Sequence, residues 1–290
     1  MKNDRQNTMI SEFRERARQL EVVSFACNGE YGVFEGAIDD EVVHGTYLRE
    51  GIWAPAMLDL LVHGLFAQGS GTLIDIGANI GLVSIPVVEK SGVACLAFEP
   101  EPFNFTLLKH NILAHGLESK IAANNVALYS EKGQIQLQRD PSNSGDNRLI
   151  RDTNATKAAN RETRTITVDA DRLDALIDPE RLAHPVVVKM DTQGAEVRVL
   201  EGARQILPHV DYLISEYWPR GLWLMGDTPQ RFQNLVDDFA YGAILDQTDS
   251  TVNLNNAEEM FQRLSWIPAD GSDDGFFDVI LAKHPTLQFI

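Results

Sequence analysis

Cysteine is scarce in this chain: Cys27 and Cys95 are the only two in 290 residues. Two thiols cannot build a disulfide framework, and Cys95 lies in an apolar run where a thiol behaves as a small buried hydrophobe, so a reducing, cytoplasmic setting is expected. Uninterrupted apolar stretches of membrane-spanning length are missing, and the first twenty residues hold no apolar segment of signal-peptide length. Neither secretion nor membrane spanning is therefore expected. Positive charge is also short: 25 Lys and Arg face 42 Asp and Glu, a formal net charge of -17. A field of that sign repels phosphate backbones and anionic headgroups, which argues against nucleic-acid and membrane-surface partners.

Several motifs are absent as well. The seven histidines include no H-x-x-x-H pair and have no neighbouring cysteine, so no zinc site is read, and no metal is assigned. Neither the dinucleotide fingerprint G-x-G-x-x-G nor the phosphate loop G-x-x-x-x-G-K-[ST] occurs. Internal repeats are not evident.

What is present is a sizeable apolar fraction, 44% against 23% charged, as in a globular protein with a substantial core. From Thr72 onward, short apolar runs alternate with amphipathic stretches of helical length, the pattern of βα units around a parallel sheet. Strands are expected at Leu73 to Ile76, Ala94 to Phe98, Ile121 to Leu128, Val186 to Met190, Tyr212 to Ser215, Ala240 to Leu245 and Phe276 to Ala282. The fold class is thus a doubly wound α/β domain over 71–290 with a mostly parallel seven-stranded sheet and an insertion at 133–165. Residues 1–70 read as a small α+β extension: a helix from Ser11 to Leu20, short antiparallel strands within Glu21 to Glu50, and a helix from Pro55 to Phe66. The extension offers a contact surface for a homo-oligomer. The insertion begins with a strand at Gln134 to Leu137. From Asp140 to Arg164 it is polar and without period, which suits either a lid over a site or a mobile segment.

The segment TLIDIGANIGLVSIPVVEKSGVACLAFEP concentrates the chemistry. A strand ends near Asp75, a glycine turn follows, and a helix is expected to open near Asn79. Gly77 and Gly81 let a ligand approach the backbone because no Cβ intervenes and positive φ is cheap. The pattern is D-x-G-x-x-x-G, and an acid just before the loop opposes a pyrophosphate but accepts a hydrogen bond from an ammonium or hydroxyl group. Asp75 therefore favours a zwitterionic amino-acid ligand. Glu99 ends the next strand, where doubly wound folds place the carboxylate that grips a ribose diol, and Pro100 turns the chain there. Any one of these residues alone would serve a tight βα turn equally well; their order together points to a ligand.

IDIGANIGL, AFEPEPFNFTLLKHNILAHGL, NVALYSEKGQIQL, ITVDADRLDALI, VVVKMDTQGAEVRVLEGARQIL and YLISEYWP occur in order between Leu73 and Trp218. Over that span the chain resembles the FkbM-type methyltransferases, a family of S-adenosylmethionine-dependent enzymes associated with O-methylation. The resemblance implies S-adenosylmethionine contacts from Asp75, Gly77, Ala78, Asn79 and Gly81, ribose contact from Glu99 beside Pro100, and adenine-side contact from Val126 and Ala127. It also implies a small-molecule or glycan acceptor, such as a sugar or natural-product hydroxyl. Asn111 matches the family pattern too, but in a helix it suits a structural side chain equally.

Lys189 and Asp191 lie two apart on one strand and share a face. A buried lysine needs an acidic partner. Asp191 at the strand's carboxyl end is the leading candidate for a catalytic or acceptor-orienting group, followed by Glu216, whose alternative role is partner to Lys189. Where the family carries Glu, this chain has Gln193, which keeps size and hydrogen bonding but not charge. Glu196 and Glu201 read as helix-start and exposed-face residues. Trp53, Trp218 and Trp223 could wall an acceptor pocket or simply pack. The rival from another class is a noncatalytic binding protein on the same fold.

Overall fold

A computed structural model describes residues 2–150, 164–246, 249, 251–268 and 270–285. Helix α1 (Lys2–Gln19) is longer than the stretch expected from Ser11, which lies inside it. A hairpin follows, β1 (Ser24–Gly29) with β2 (Gly32–Ala37). The run of strands expected as far as Glu50 stops there, because Val43–Glu50 is a helix, α2. Asp40 explains the change: its carboxylate accepts the backbone N–H groups of Val42, Val43 and His44 at 3.0 to 3.1 Å. Those donors have no partner inside a helix's first turn, so capping them favours helix over strand. The expected helix after Pro55 is present as α3 (Pro55–Asp59), which widens into a π-type stretch over Leu60–Leu65.

The main body comprises β3 (Thr72–Ile76), α4 (Ser84–Ser91), β4 (Ala94–Phe98), α5 (Pro102–Ala114), β5 (Ile121–Asn124), β6 (Ala127–Leu128), β7 (Gly133–Arg139), β8 (Arg148–Ile150) and β9 (Arg164–Asp171). It continues through α6 (Leu173–Leu176), β10 (Val186–Met190), α7 (Glu196–Glu201), β11 (Tyr212–Tyr217), α8 (Pro219–Leu224), α9 (Pro229–Leu235), β12 (Tyr241–Ile244), β13 (Asn255–Asn256), α10 (Ala257–Leu264) and β14 (Phe277–Ala282). Among the described residues the large sheet has eight strands in the order β13-β12-β14-β11-β10-β3-β4-β5. Each of the seven expected strands contributes to it, the third only over Ile121–Asn124, and the two-residue β13 adds the eighth. β5, β4, β3, β10 and β11 run parallel, while β14 is antiparallel to both β11 and β12.

Strand order reverses between β3 and β10, so the carboxyl ends of these two strands flank the crevice where open α/β sheets bind ligands. Their side chains bury on both faces, as the continuous apolar runs require.

Two sequence expectations need correction. Ile121 to Leu128 is not one strand: Asn125 donates its side-chain amide to the carbonyls of Glu99 (2.8 Å) and Pro100 (3.1 Å), and beyond it the chain leaves the large sheet. β6 joins a second, four-stranded sheet in the order β6-β9-β7-β8, whose core includes Leu137, Leu149, Val168 and Ala170. The insertion is therefore partly regular, with a 3₁₀ turn at Ser144–Asp146, while 151–163 lie outside the described residues.

The extension shares its core with the main body. Phe34, Tyr47 and Leu61, all fully buried, belong to one cluster with Ile85, Leu107 and Leu108. Asn111 staples the two together: its side chain accepts the Glu35 N–H (2.8 Å) and donates to the carbonyls of Glu35 (3.0 Å) and Ile80 (2.8 Å).

Candidate active site

The turn after β3 is built on left-handed backbone, with φ of 79° at Gly77, 51° at Asn79 and 93° at Gly81. Those dihedrals keep the segment from being helical, so α4 opens at Ser84 rather than near Asn79. A Cβ at Gly77 would sit 2.0 Å from the Asp191 carbonyl oxygen, so this glycine lets the loops after β3 and β10 touch. A Cβ at Gly81 would meet Ile85 and Leu108 instead, so that glycine serves packing and does not face the crevice.

Asp75 is fully buried beneath this turn. It accepts a hydrogen bond from Ser84 Oγ and pairs with Lys189 Nζ at 3.2 Å. Lys189 also donates to the Gly77 carbonyl at 3.0 Å. Burial pulls the lysine pKa down, but Asp75, Asp191 and Asp278 outweigh it and the net shift is upward, so Lys189 is charged. The acid partner that a buried lysine demanded is thus Asp75, not Glu216. The structure puts Asp75 below the loop and away from the surfaces a ligand could touch.

Glu99 accepts the N–H groups of Asn79 (2.8 Å) and Glu101 (2.9 Å). Burial lifts its carboxyl to about 7 against the pull of those two donors. Asn79 is held from the other side by Ser144 Oγ (3.1 Å), which in turn donates to buried Asp40 (2.7 Å). One chain of hydrogen bonds therefore links the extension, the insertion and the glycine turn.

Two adjoining cavities open at the carboxyl ends of β3 and β10. The narrower, about 100 Å³, is lined by Gly77, Ala78, Asn79, Glu99, Pro100, Val126 and Ala127 together with apolar Phe98, Leu128 and Leu149. The wider, about 840 Å³, includes Glu216, Trp53 and Trp218 in its wall. Lys189 and Asp191 line both, at the junction. Of the candidate catalytic and cofactor-binding residues, only Asp75 and Gly81 are missing from these walls. Trp223 is half exposed and packs over Gly271, outside them.

The loop after β10 is shaped by Glu196, which is fully buried rather than a simple helix-start charge. It accepts Thr192 N–H (3.1 Å), Thr192 Oγ–H (2.8 Å) and Gly194 N–H (3.2 Å). Gln193, held at φ 55°, donates to Asp191 at 2.8 Å. Glu216 faces Asp278 directly across the β11–β14 ladder. Burial first, then the charges of Asp191, Glu196 and Asp278, hold the Glu216 carboxyl well above its usual range; burial and Asp191 raise Asp278 to about 6. Sequence reasoning missed Asp278, although FFDVILA carries one acid in an apolar strand, the same clue that singled out Lys189. Among the described residues no three His, Cys, Asp or Glu converge as a metal site, and no helix is long and apolar enough to cross a membrane.

The family described as Methyltransferase FkbM domain matches residues 75–236, from the buried partner of Lys189 through the glycine turn and the β10 loop to the end of α9. The chain belongs to the FkbM methyltransferase family. Members of this family use S-adenosylmethionine. The hexuronic acid methyltransferase AglP of Haloferax volcanii is 28% identical over 150 residues, 52% of this chain and 57% of its own. Methyltransferase sdnD of Sordaria araneosa is 29% identical over 154 residues, 45% of this chain and 59% of its own. The chain thus spans less than two thirds of the length of these relatives. A crystal structure of an FkbM methyltransferase from Methylobacillus flagellatus KT aligns at 15% identity and TM-score 0.43 over 73% of this chain and 44% of that one.

Proposed function

We propose that the chain is an S-adenosylmethionine-dependent O-methyltransferase acting on a hydroxyl of a small molecule or sugar. The observation that carries this reading is the meeting of two unlike cavities at Lys189 and Asp191. The narrow one suits a nucleoside: Phe98, Val126 and Leu128 offer apolar walls for a base, and Glu99 offers carboxylate oxygens for a diol. Its small volume means the walls must part for a whole nucleoside. Val126, Ala127 and Pro100 would stand at the base side, with Gly77, Ala78 and Asn79 along the glycine turn. Asp75 acts through Lys189, fixing the Gly77 carbonyl, and is a positioning residue.

S-adenosylmethionine, when bound, supplies a methyl group on a sulfonium, which keeps the bonding electron pair on sulfur as an acceptor oxygen takes the methyl. The acceptor hydroxyl must lose its proton in the same event, and Asp191 is the group placed to receive it at the junction. Glu216, also in the wall of the wider cavity, is the second candidate. Gln193 holds Asp191 by a neutral hydrogen bond, so the carboxylate is oriented without a further negative charge at that position. The reduction of the family's Glu to Gln also supports the rival reading, a protein that binds the cofactor and transfers nothing.

The hexuronic acid in the name of the Haloferax volcanii relative supports a small, polar, sugar-sized acceptor here. Calorimetric titration with S-adenosylmethionine, S-adenosylhomocysteine and NAD tests the proposal, with Asp75→Ala and Glu99→Ala alongside. Binding of both sulfur nucleosides but not NAD, weakened in both variants, is the expected result. A folded protein that binds neither nucleoside would defeat it, and binding without turnover across an acceptor panel would favour the rival.

A further inference from the structure

The wider cavity carries a charge pattern that says more about its occupant. Eight of its lining residues are Asp or Glu and two are cations. Both cations are already committed: Lys189 pairs with Asp75, and Arg148 pairs with Asp146 while lying over the Trp218 ring at 5.3 Å. Asp146 is taken by Arg148, and Asp274 by Arg220 and the Trp218 N–H, but Glu216 and Asp278 form no salt bridge among the described residues. Glu216 and Asp278 stand opposite each other in the antiparallel register of β11 and β14, an arrangement that is unfavourable for like charges. Glu216 Oε2 is sealed from solvent and has no hydrogen-bond partner. A buried acceptor atom left unpaired is costly unless something brings a donor to it.

We infer that the acceptor carries a positive charge, an ammonium or substituted ammonium group beside the hydroxyl that is methylated, and that Glu216 and Asp278 receive it. This deepens the methyltransferase reading and rests on it. A cation placed between the two carboxylates supplies the missing donor to Glu216 and removes the repulsion across the ladder. A neutral polyol supplies only the donor. An acceptor bearing a carboxylate, such as the hexuronic acid in the name of the Haloferax volcanii relative, adds a further negative charge to a wall that has no free cation among the described residues, so on this view the acceptor here differs in charge from that one. The aromatic part of the wall agrees, since Trp218 already takes one cation on its ring face, and Trp53 and Phe276 present further rings. Glu216 on this view is a specificity-determining residue, and proton acceptance falls to Asp191.

Three sugars differing only at C6 test the assignment: methyl 6-amino-6-deoxyglucoside, methyl glucoside and methyl glucuronide. Their dissociation constants are measured by ligand-observed NMR on the full chain, with and without S-adenosylhomocysteine. The amino sugar is expected to bind at least tenfold more tightly than the neutral one, with the carboxylate weakest. In the Glu216→Gln, Asp278→Asn double variant that preference should fall at least fivefold while S-adenosylhomocysteine affinity stays within twofold. Thermal unfolding checks that the variant is folded, and removal of two buried charges should not lower its midpoint. Equal binding of the three sugars, failure of the amino sugar to bind, preference for the carboxylate, or an unchanged preference in the double variant would each overturn the inference. If the charge ranking fails while S-adenosylhomocysteine still binds, the methyltransferase reading survives; loss of nucleoside binding instead strikes that reading, whatever the ranking.

Discussion

The two cavities are built in different ways. Half of the narrow one's wall comes from two short stretches, Gly77 to Pro100 and Val126 to Leu128, with the insertion and the β10 loop supplying most of the rest, and its polar groups are partnered: Glu99 by two backbone amides, Asn79 by Ser144. The wide one is assembled from Trp53, Asp146, Asp191, Glu216, Asp249 and Asp278, brought together only by the fold, and it leaves a carboxylate oxygen without a partner. A site whose ligand is fixed in advance can be written locally and satisfied in advance. The variable half of a site is spread along the chain and is finished only when its ligand arrives.

The contrast is sharpest in how each half should respond to damage. The largest effect is expected at Asp75→Ala, which strands Lys189 as an uncompensated buried charge; loss of such a pair costs about 3–5 kcal/mol, readable as a lower urea midpoint, and the narrow cavity should lose its ligand with it. If Asp75→Ala is as stable as wild type, the narrow cavity does not rest on this pair. Gly77→Ala should follow at about 2–3 kcal/mol, because it combines positive φ with a Cβ driven into the Asp191 carbonyl. Circular dichroism on heating would reveal it, and a neutral outcome would mean that the two loops can separate freely.

Glu99 allows a milder test by pH. With a carboxyl near 7, ionised Glu99 goes from roughly a tenth to nine tenths of the population between pH 6 and 8, so S-adenosylhomocysteine affinity should rise about tenfold over that interval. Glu99→Gln should abolish the rise, and an equal slope in the variant would show that Glu99 does not hold the diol. Folding stability should move the opposite way. The folded state retains the Glu99 proton above the unfolded value of 4.5, so wild type loses stability relative to Glu99→Gln as pH climbs from there towards 7. The smallest effect belongs to Trp223→Ala, within about 0.5 kcal/mol and without change in acceptor binding, since this ring lies outside both cavities. Trp218→Ala, by contrast, should weaken acceptor binding.

How much of this was legible in the sequence follows the same division. The α/β class, seven of the eight strands of the large sheet and the glycine turn could be read from apolar runs and from D-x-G-x-x-x-G, because each signal lies within about thirty residues. The role of Asp75 was misjudged, since composition shows an acid near a loop but not which way it points; burial and the partner 114 positions later decided that. Helix α2 was hidden because alternating residues resemble a strand until the Asp40 carboxylate is seen to cap three amides. The second sheet was missed because its strands flank a polar segment without period. Asp278 went unnoticed because nothing nearby in sequence marks it; only strand register sets it against Glu216.

The adjacency of β3 and β10 has a consequence for how the chain is made. During synthesis β3, β4 and β5 emerge together, but the strand that closes the other side of β3 arrives only at residues 186 to 190. For that interval β3 is a bare edge, available to any passing strand. Asp75 is the one charged residue along that edge, and a carboxylate there is a deterrent to mispairing while water can still reach it. The arrival of Lys189 neutralises the guard at the moment it is no longer required. Ribosome-bound chains of Asp75→Asn halted before residue 186 should aggregate more readily than wild type, and equal solubility of the two would remove this role.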